Sequence, residues 1–205
     1  MSKSRVRKSA KAKLKRPWAP ATHRELVLYL AGLALVGTCI LVPTIHYLEF
    51  LRAEQAFTAD ARLGKLSLTR TENLENHGRS VLPEDTEYEY SEEFPTSGPY
   101  DPDWVDAGFY DTSRSATLLV HSLERGYVII YYDNPAADVL KTLRQWVALF
   151  RRDRDGIIVV PHPHLGEAIV LTAWQRRLQL NQFDPSAAAA FIDAFRGRGP
   201  ERQIQ

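Results

Sequence analysis

Few residues in this chain have types and spacing suited to chemistry. His121 and Ser122 are adjacent, with Glu124 two positions on, the residue types of a hydrolytic triad. On the strand expected over Thr117–Ser122, neighbours point to opposite faces, so His121 and Ser122 do not meet. His162 and His164 alternate in Pro161-His162-Pro163-His164. In extended chain they share a side and suit a common metal ion, but two ligands need a third. The run EDTEYEYSEE, residues 84–93, is acidic without the Asp/Asn/Gly spacing of a calcium loop, and reads as a solvated face. Neither G-x-x-x-x-G-K-[ST] nor G-x-G-x-x-G occurs, and H-E-x-x-H and G-x-S-x-G are also absent. Cys39 is the only cysteine and lies in an apolar run, which removes disulfides and thiolate chemistry from the rest of the chain.

The charge is segregated. Met1 to Arg24 holds nine Lys and Arg and no acid. Beyond Leu48, 17 Lys and Arg face 24 Asp and Glu, a net charge of −7. Between them Leu26–Leu48 (LVLYLAGLALVGTCILVPTIHYL) carries no charge. As a helix at ~1.5 Å per residue it spans about 34 Å, enough for a bilayer core. Basic residues before the span and acids after it predict an inside N-terminus. A cleaved signal peptide needs a shorter core and small residues at its cleavage site, and Thr38 before Cys39 does not suit a lipoprotein. The segments expected are a basic tail over 1–25, a transmembrane helix over 26–48, a helical stalk or linker over 49–70 and an outer domain over 71–201. The tail has no aromatic interleaving beyond Trp18, so its expected partner is lipid rather than nucleic acid.

The outer part opens with a polar stretch. Phe94–Tyr110 (FPTSGPYDPDWVDAGFY), rich in Pro and Gly, is a built loop with aromatic anchors. Strands are expected at Thr117–Ser122 and Tyr127–Tyr132, joined by a hairpin turn at Leu123–Gly126. Ala136–Phe150 has helical spacing, with Val139, Leu140, Leu143, Trp146, Val147 and Phe150 on one face. Ile157–Val160 and Ala168–Thr172 read as strands. Asp184 caps and Pro185 starts a helix to Phe195. The fold class is α+β: one transmembrane helix, then a single core with about four mostly antiparallel strands and two helices.

Pro95-Thr96-Ser97-Gly98-Pro99 with Trp104, Gly108 and Tyr110, followed by Leu119-Val120-His121-Ser122-Leu123-Glu124 and Gly126, resembles the bacterial family called domain of unknown function 3105. The likeness runs from about Leu74 to Glu201, through Thr172-Ala173-Trp174 and Gly199-Pro200-Glu201. In that family the two motifs typically read P-T-S-G-P-H and H-S-L-E-H-G. The resemblance implies a membrane-anchored domain whose motif histidines can meet around a metal. Here Tyr100 and Arg125 stand in two of those places and only His121 is kept. Arginine is a poor metal ligand and favours an anionic partner. The binding residues expected are Tyr100, Trp104, His121, Glu124 and Arg125. The leading expectation is a non-enzymatic interaction domain at the plasma membrane, an accessory subunit meeting other membrane or envelope proteins. The alternative is an extracytoplasmic metal-binding or redox-related domain in which His121, His162 and His164 hold a transition metal.

Overall fold

The computed structural model describes residues 22–83 and 86–201. The basic tail up to Ala21, and Glu84 and Asp85 of the acidic run, lie outside the described residues. Two units are distinct, one up to Tyr47 and one from Leu48.

From His23 on, the first unit is part of α1 (His23–Leu63), which passes Pro43 without a break. Its apolar part is long and apolar enough to cross a membrane, with a mean hydropathy of 2.3 and no part of that window buried. An exposed helical surface made of Leu, Val and Ile is stable in lipid rather than water.

The second unit is an α+β domain on a mixed sheet. A 3₁₀ turn over Gly64–Arg70 follows α1. Then come β1 (Glu72–Asn73), β2 (Gly108–Phe109), α2 (Ala116–Glu124), β3 (Val128–Tyr132), α3 (Ala137–Leu149), β4 (Arg151–Arg152), β5 (Asp155–Pro161), β6 (Ile169–Ala173), β7 (Arg176–Leu180) and α4 (Pro185–Phe195). The sheet order is β1-β7-β6-β3-β5-β2, with β4 on β5. β3 and β5 are parallel because α3 crosses between them, and β2 adds to β5 in parallel. The remaining pairs are antiparallel. Among the described residues, seven strands stand where about four were expected. β7 was missed although Leu178 and Leu180 alternate with exposed Gln179. Gly108–Phe109, expected to be loop, forms the edge strand β2.

Strands β3 and β6 are buried along their whole length, and so is the centre of β5. Both sheet faces are covered, so apolar residues need not alternate with polar ones. Val128, Ile130, Ile157, Val159 and Leu171 pack towards α3 and α4, and Phe57 and Ala61 of α1 join them. The stretch expected as a stalk thus supplies core side chains. Ile129, Tyr131, Ile158 and Val160 pack on the other face, against Leu119 and Leu123 of α2.

The strand expected at Thr117–Ser122 is a helix, and no hairpin follows it. Leu119 and Leu123, one turn apart, both face the sheet. Gly126, at φ 101°, ends α2. Its N–H donates to the Leu123 carbonyl and the Tyr127 N–H to that of Ser122, the paired bonds of a left-handed glycine cap. The glycine read as a hairpin turn is therefore a helix stop. A short apolar run with a terminal glycine fits either backbone, and covering by the sheet decides it. At α4 the expected cap forms: the Asp184 side chain accepts from Ala187 N–H at 3.0 Å.

Candidate functional site

The loop from Phe94 to Tyr110 lies on α2, and one hydroxyl pins it there. Ser122 Oγ accepts from Val105 N–H and donates to the Val105 carbonyl, both at 2.9 Å and both buried. A serine so engaged is a structural clamp and has no proton left for nucleophilic chemistry.

One residue earlier, His121 reaches the same loop. Its Nδ1 lies 2.8 Å from the Asp101 carbonyl and 3.0 Å from that of Asp103. Carbonyls only accept, so Nδ1 carries the proton and neutral His121 keeps its lone pair on Nε2. The ring stacks on Tyr100 at 4.6 Å and meets the edge of Trp104 at 5.5 Å. Arg125, one helical turn on, lies over the Trp104 ring at 3.8 Å. The order Tyr100, His121, Trp104, Arg125 is thus a continuous stack, and Trp104 stays 41% exposed. Trp104 Nε1 donates to Asp106 at 3.1 Å, which fixes the indole further.

Glu124 completes the set. It is 4% exposed, and its carboxylate meets Arg79 at 3.4 Å. Burial raises its pKa and nearby Glu201 adds to this, while Arg79 and His121 oppose it. Burial likewise raises the Tyr100 phenol, helped by Glu124. Burial works against the Arg125 charge, but its 2.7 Å bond to Asp153 and the charges of Asp153 and Glu201, with Tyr127, together more than offset this and raise its pKa. That bond in turn holds Asp153 below the usual carboxylate range.

The Glu124 shift makes a prediction with a definite sign. Its folded pKa lies above its unfolded one, so ionised Glu124 costs stability at neutral pH. The cost disappears as pH falls through the folded value towards the ordinary range near ~4.3. Glu124→Gln should melt above wild type at pH 7, and the two midpoints should converge as pH falls to that range. Parallel profiles over the whole range would contradict this.

All five binding residues expected from the sequence come together. The histidines expected to share a metal do not. The His162 ring packs on Phe94 at 4.7 Å and on Tyr131 at 5.9 Å, with Nδ1 3.7 Å from Glu93. His164 sits in a turn at φ 70°. Among the described residues, no three His, Cys, Asp or Glu side chains are placed to hold a metal ion. Arg79, Asp153, Arg154 and Glu201 were not foreseen. They join Glu124 and Arg125 through ion pairs between distant parts of the chain, which leave no local pattern.

Two open grooves flank the stack. One of about 370 Å³ is lined by Asp103, Trp104, Asp106 and Leu118. The other, about 760 Å³, is lined by Glu87, Tyr88, Glu89 and Asp101 together with Ser115 and Thr117 at the start of α2. Exposed aromatic faces between carboxylates suit cationic side chains.

No curated protein and no solved structure matches the chain. Residues 82–205, more than half of the chain, match the family described as Protein of unknown function (DUF3105); that span takes in the whole stack, and Arg79, the partner of Glu124, lies just before it. The chain, with its Tyr100, His121 and Arg125, belongs to that family.

Proposed function

We propose that this chain is a membrane-anchored interaction domain without enzymatic activity, an accessory subunit of a membrane or envelope complex. The basic tail stays in the cytoplasm, residues 26–48 span the plasma membrane, and residues 71–201 act outside it. The observation behind this reading is the state of the polar groups around α2. Ser122 is bonded to backbone, His121 is stacked on Tyr100 and set against the edge of Trp104, and Glu124 faces Arg79. The surface is instead that of a docking site. Trp104 is an aromatic anchor held rigid by Arg125 and Asp106, beside Asp103 in an open groove. A few anchor residues, often Trp, Tyr or Arg, contribute most of the energy at protein interfaces. The acids around it select a partner segment bearing Lys or Arg.

Site-specific photocrosslinking in native membranes tests this. A photoreactive residue at position 103 should give a discrete adduct with a second protein, and one at Lys141, exposed on α3, should not. Adding Trp104→Ala should lower the yield at position 103 at least about tenfold. Recovery of uncrosslinked monomer alone from position 103 would sink the reading.

A further inference from the structure

The segment after α4 crosses the end of α2. Gly197 N–H donates to the Gly126 carbonyl at 2.8 Å and Glu201 N–H to that of Glu124 at 3.1 Å. Arg79 Nη1 donates to the Pro200 carbonyl at 3.2 Å. The approach is close: a Cβ on Gly199 would lie 2.2 Å from the Glu124 carbonyl oxygen. These bonds deliver the Glu201 carboxylate to two guanidinium groups. Its Oε1 is 3.0 Å from Arg154 Nη2, and its Oε2 is 3.5 Å from Arg125 Nη1.

The fit is incomplete. Arg125 Nε, Arg154 Nη1 and Glu201 Oε2 are all buried without a hydrogen-bond partner. They are complementary in charge and belong to one cluster, yet they do not satisfy each other. The Arg125 side chain is only 8% exposed, and its plane is set by Trp104 on one face and Asp153 at one end. Buried polar atoms left unpaired in this way ask for an explanation.

We propose that Arg125 and Arg154 form a carboxylate-binding site for an acidic peptide segment, and that Glu201 is its displaceable resident occupant. Guanidinium groups with fixed planes recognise carboxylates by direction as well as charge. Glu201 cannot improve its geometry, because its own N–H ties it to α2. A carboxylate arriving from a partner chain has no such tether and can reach the unpaired donors. The main-chain bonds at Gly197 and Glu201 show how such a segment is read, by its backbone at α2 and its carboxylate at the arginines. With a net charge of −7 beyond Leu48, general attraction does not bring an acidic segment here, so selectivity rests on the arginine pair. The proposal does not rest on the docking reading at Trp104, and its readouts are melting and peptide binding rather than crosslinking.

The test uses the full chain in detergent micelles. Glu201→Ala should melt below wild type. Sodium acetate should raise its midpoint by about 2–4 °C over sodium chloride of equal ionic strength, and raise that of wild type less. A chain ending at Arg196 should bind the peptide GRGPERQIQ, a copy of residues 197–205. The same peptide with Gln for Glu should bind at least about tenfold more weakly. Adding Arg125→Gln to Glu201→Ala should abolish the acetate effect. The proposal is overturned if acetate acts no better than chloride on Glu201→Ala, or acts equally on the Arg125→Gln double variant. Rescue by phosphate and not by acetate overturns the carboxylate assignment. If the shortened chain does not fold, the acetate series alone decides.

Discussion

Replacing Tyr100 and Arg125 together by histidine will give the chain a stoichiometric zinc site centred on His121. Three observations lead to this. The ring at position 100 already stacks on His121 at 4.6 Å. Position 125 lies one helical turn from His121, the i, i+4 spacing by which two histidines on one helix share a metal. Carbonyl bonds hold His121 Nδ1, which leaves Nε2 as the ligand atom, the usual outer-sphere arrangement of a metal-binding histidine. Three imidazoles with an open fourth position make an adequate zinc site. Zinc affinity of Tyr100→His/Arg125→His should exceed that of wild type by more than about 100-fold, beyond the roughly 10–100-fold that outer-sphere changes produce. The cost without metal is the loss of the Arg125 bond to Asp153, its pair with Glu201 and its contact with Trp104, together about 2 kcal/mol because Asp153 is largely exposed. Elemental analysis after dialysis gives the answer, with His121→Ala in the same background as the control. A folded double variant that retains no more zinc than wild type would show that positions 100, 121 and 125 do not share a centre.

Gly64→Ala will destabilise the domain more than its size suggests, by about 3 kcal/mol. Gly64 opens the 3₁₀ turn where the chain after α1 meets the start of α4. A Cβ there would sit 1.9 Å from the Ser186 carbonyl oxygen and 2.3 Å from its carbon. Both are backbone atoms of a capped helix start and cannot rotate away as a side chain would. Relief requires α4 to move, and α4 carries the fully buried residues Ala187–Ala189, Phe191 and Ile192. The expected fall in thermal midpoint is roughly 10 °C, read by circular dichroism on the full chain in detergent. Leu66→Ala, two positions on and exposed, is the comparison and should change stability by no more than about 0.5 kcal/mol. Equal midpoints for the two variants would mean that α4 adapts freely at this contact.

The elements legible in the sequence were those whose signal is local. Leu26–Leu48 is uncharged over a bilayer's thickness, which makes its helix long and apolar enough to cross a membrane. α3 shows its buried stripe because its other side meets water. α4 begins at Asp184-Pro185, where capping chemistry involves neighbours three residues apart. Tyr100, Trp104, His121, Glu124 and Arg125 could be named together because they fall within two short motifs. What the motifs did not contain was the backbone beneath them. Thr117–Ser122 is covered by the sheet on one side and the Phe94–Tyr110 loop on the other, so it has no wet face to set a helical period. Its helix follows from what packs on it. The parallel pairing of β3 with β5 depends on where α3 can lie, and the ion pairs from Arg79 to Glu124 and from Glu201 to Arg125 and Arg154 join residues far apart in the chain. Local spacing determined the long apolar helix, α3, α4 and the members of the candidate site. Tertiary packing alone decided that His121 and Arg125 stand one turn apart on a helix, because a segment buried on all sides carries no periodicity of its own.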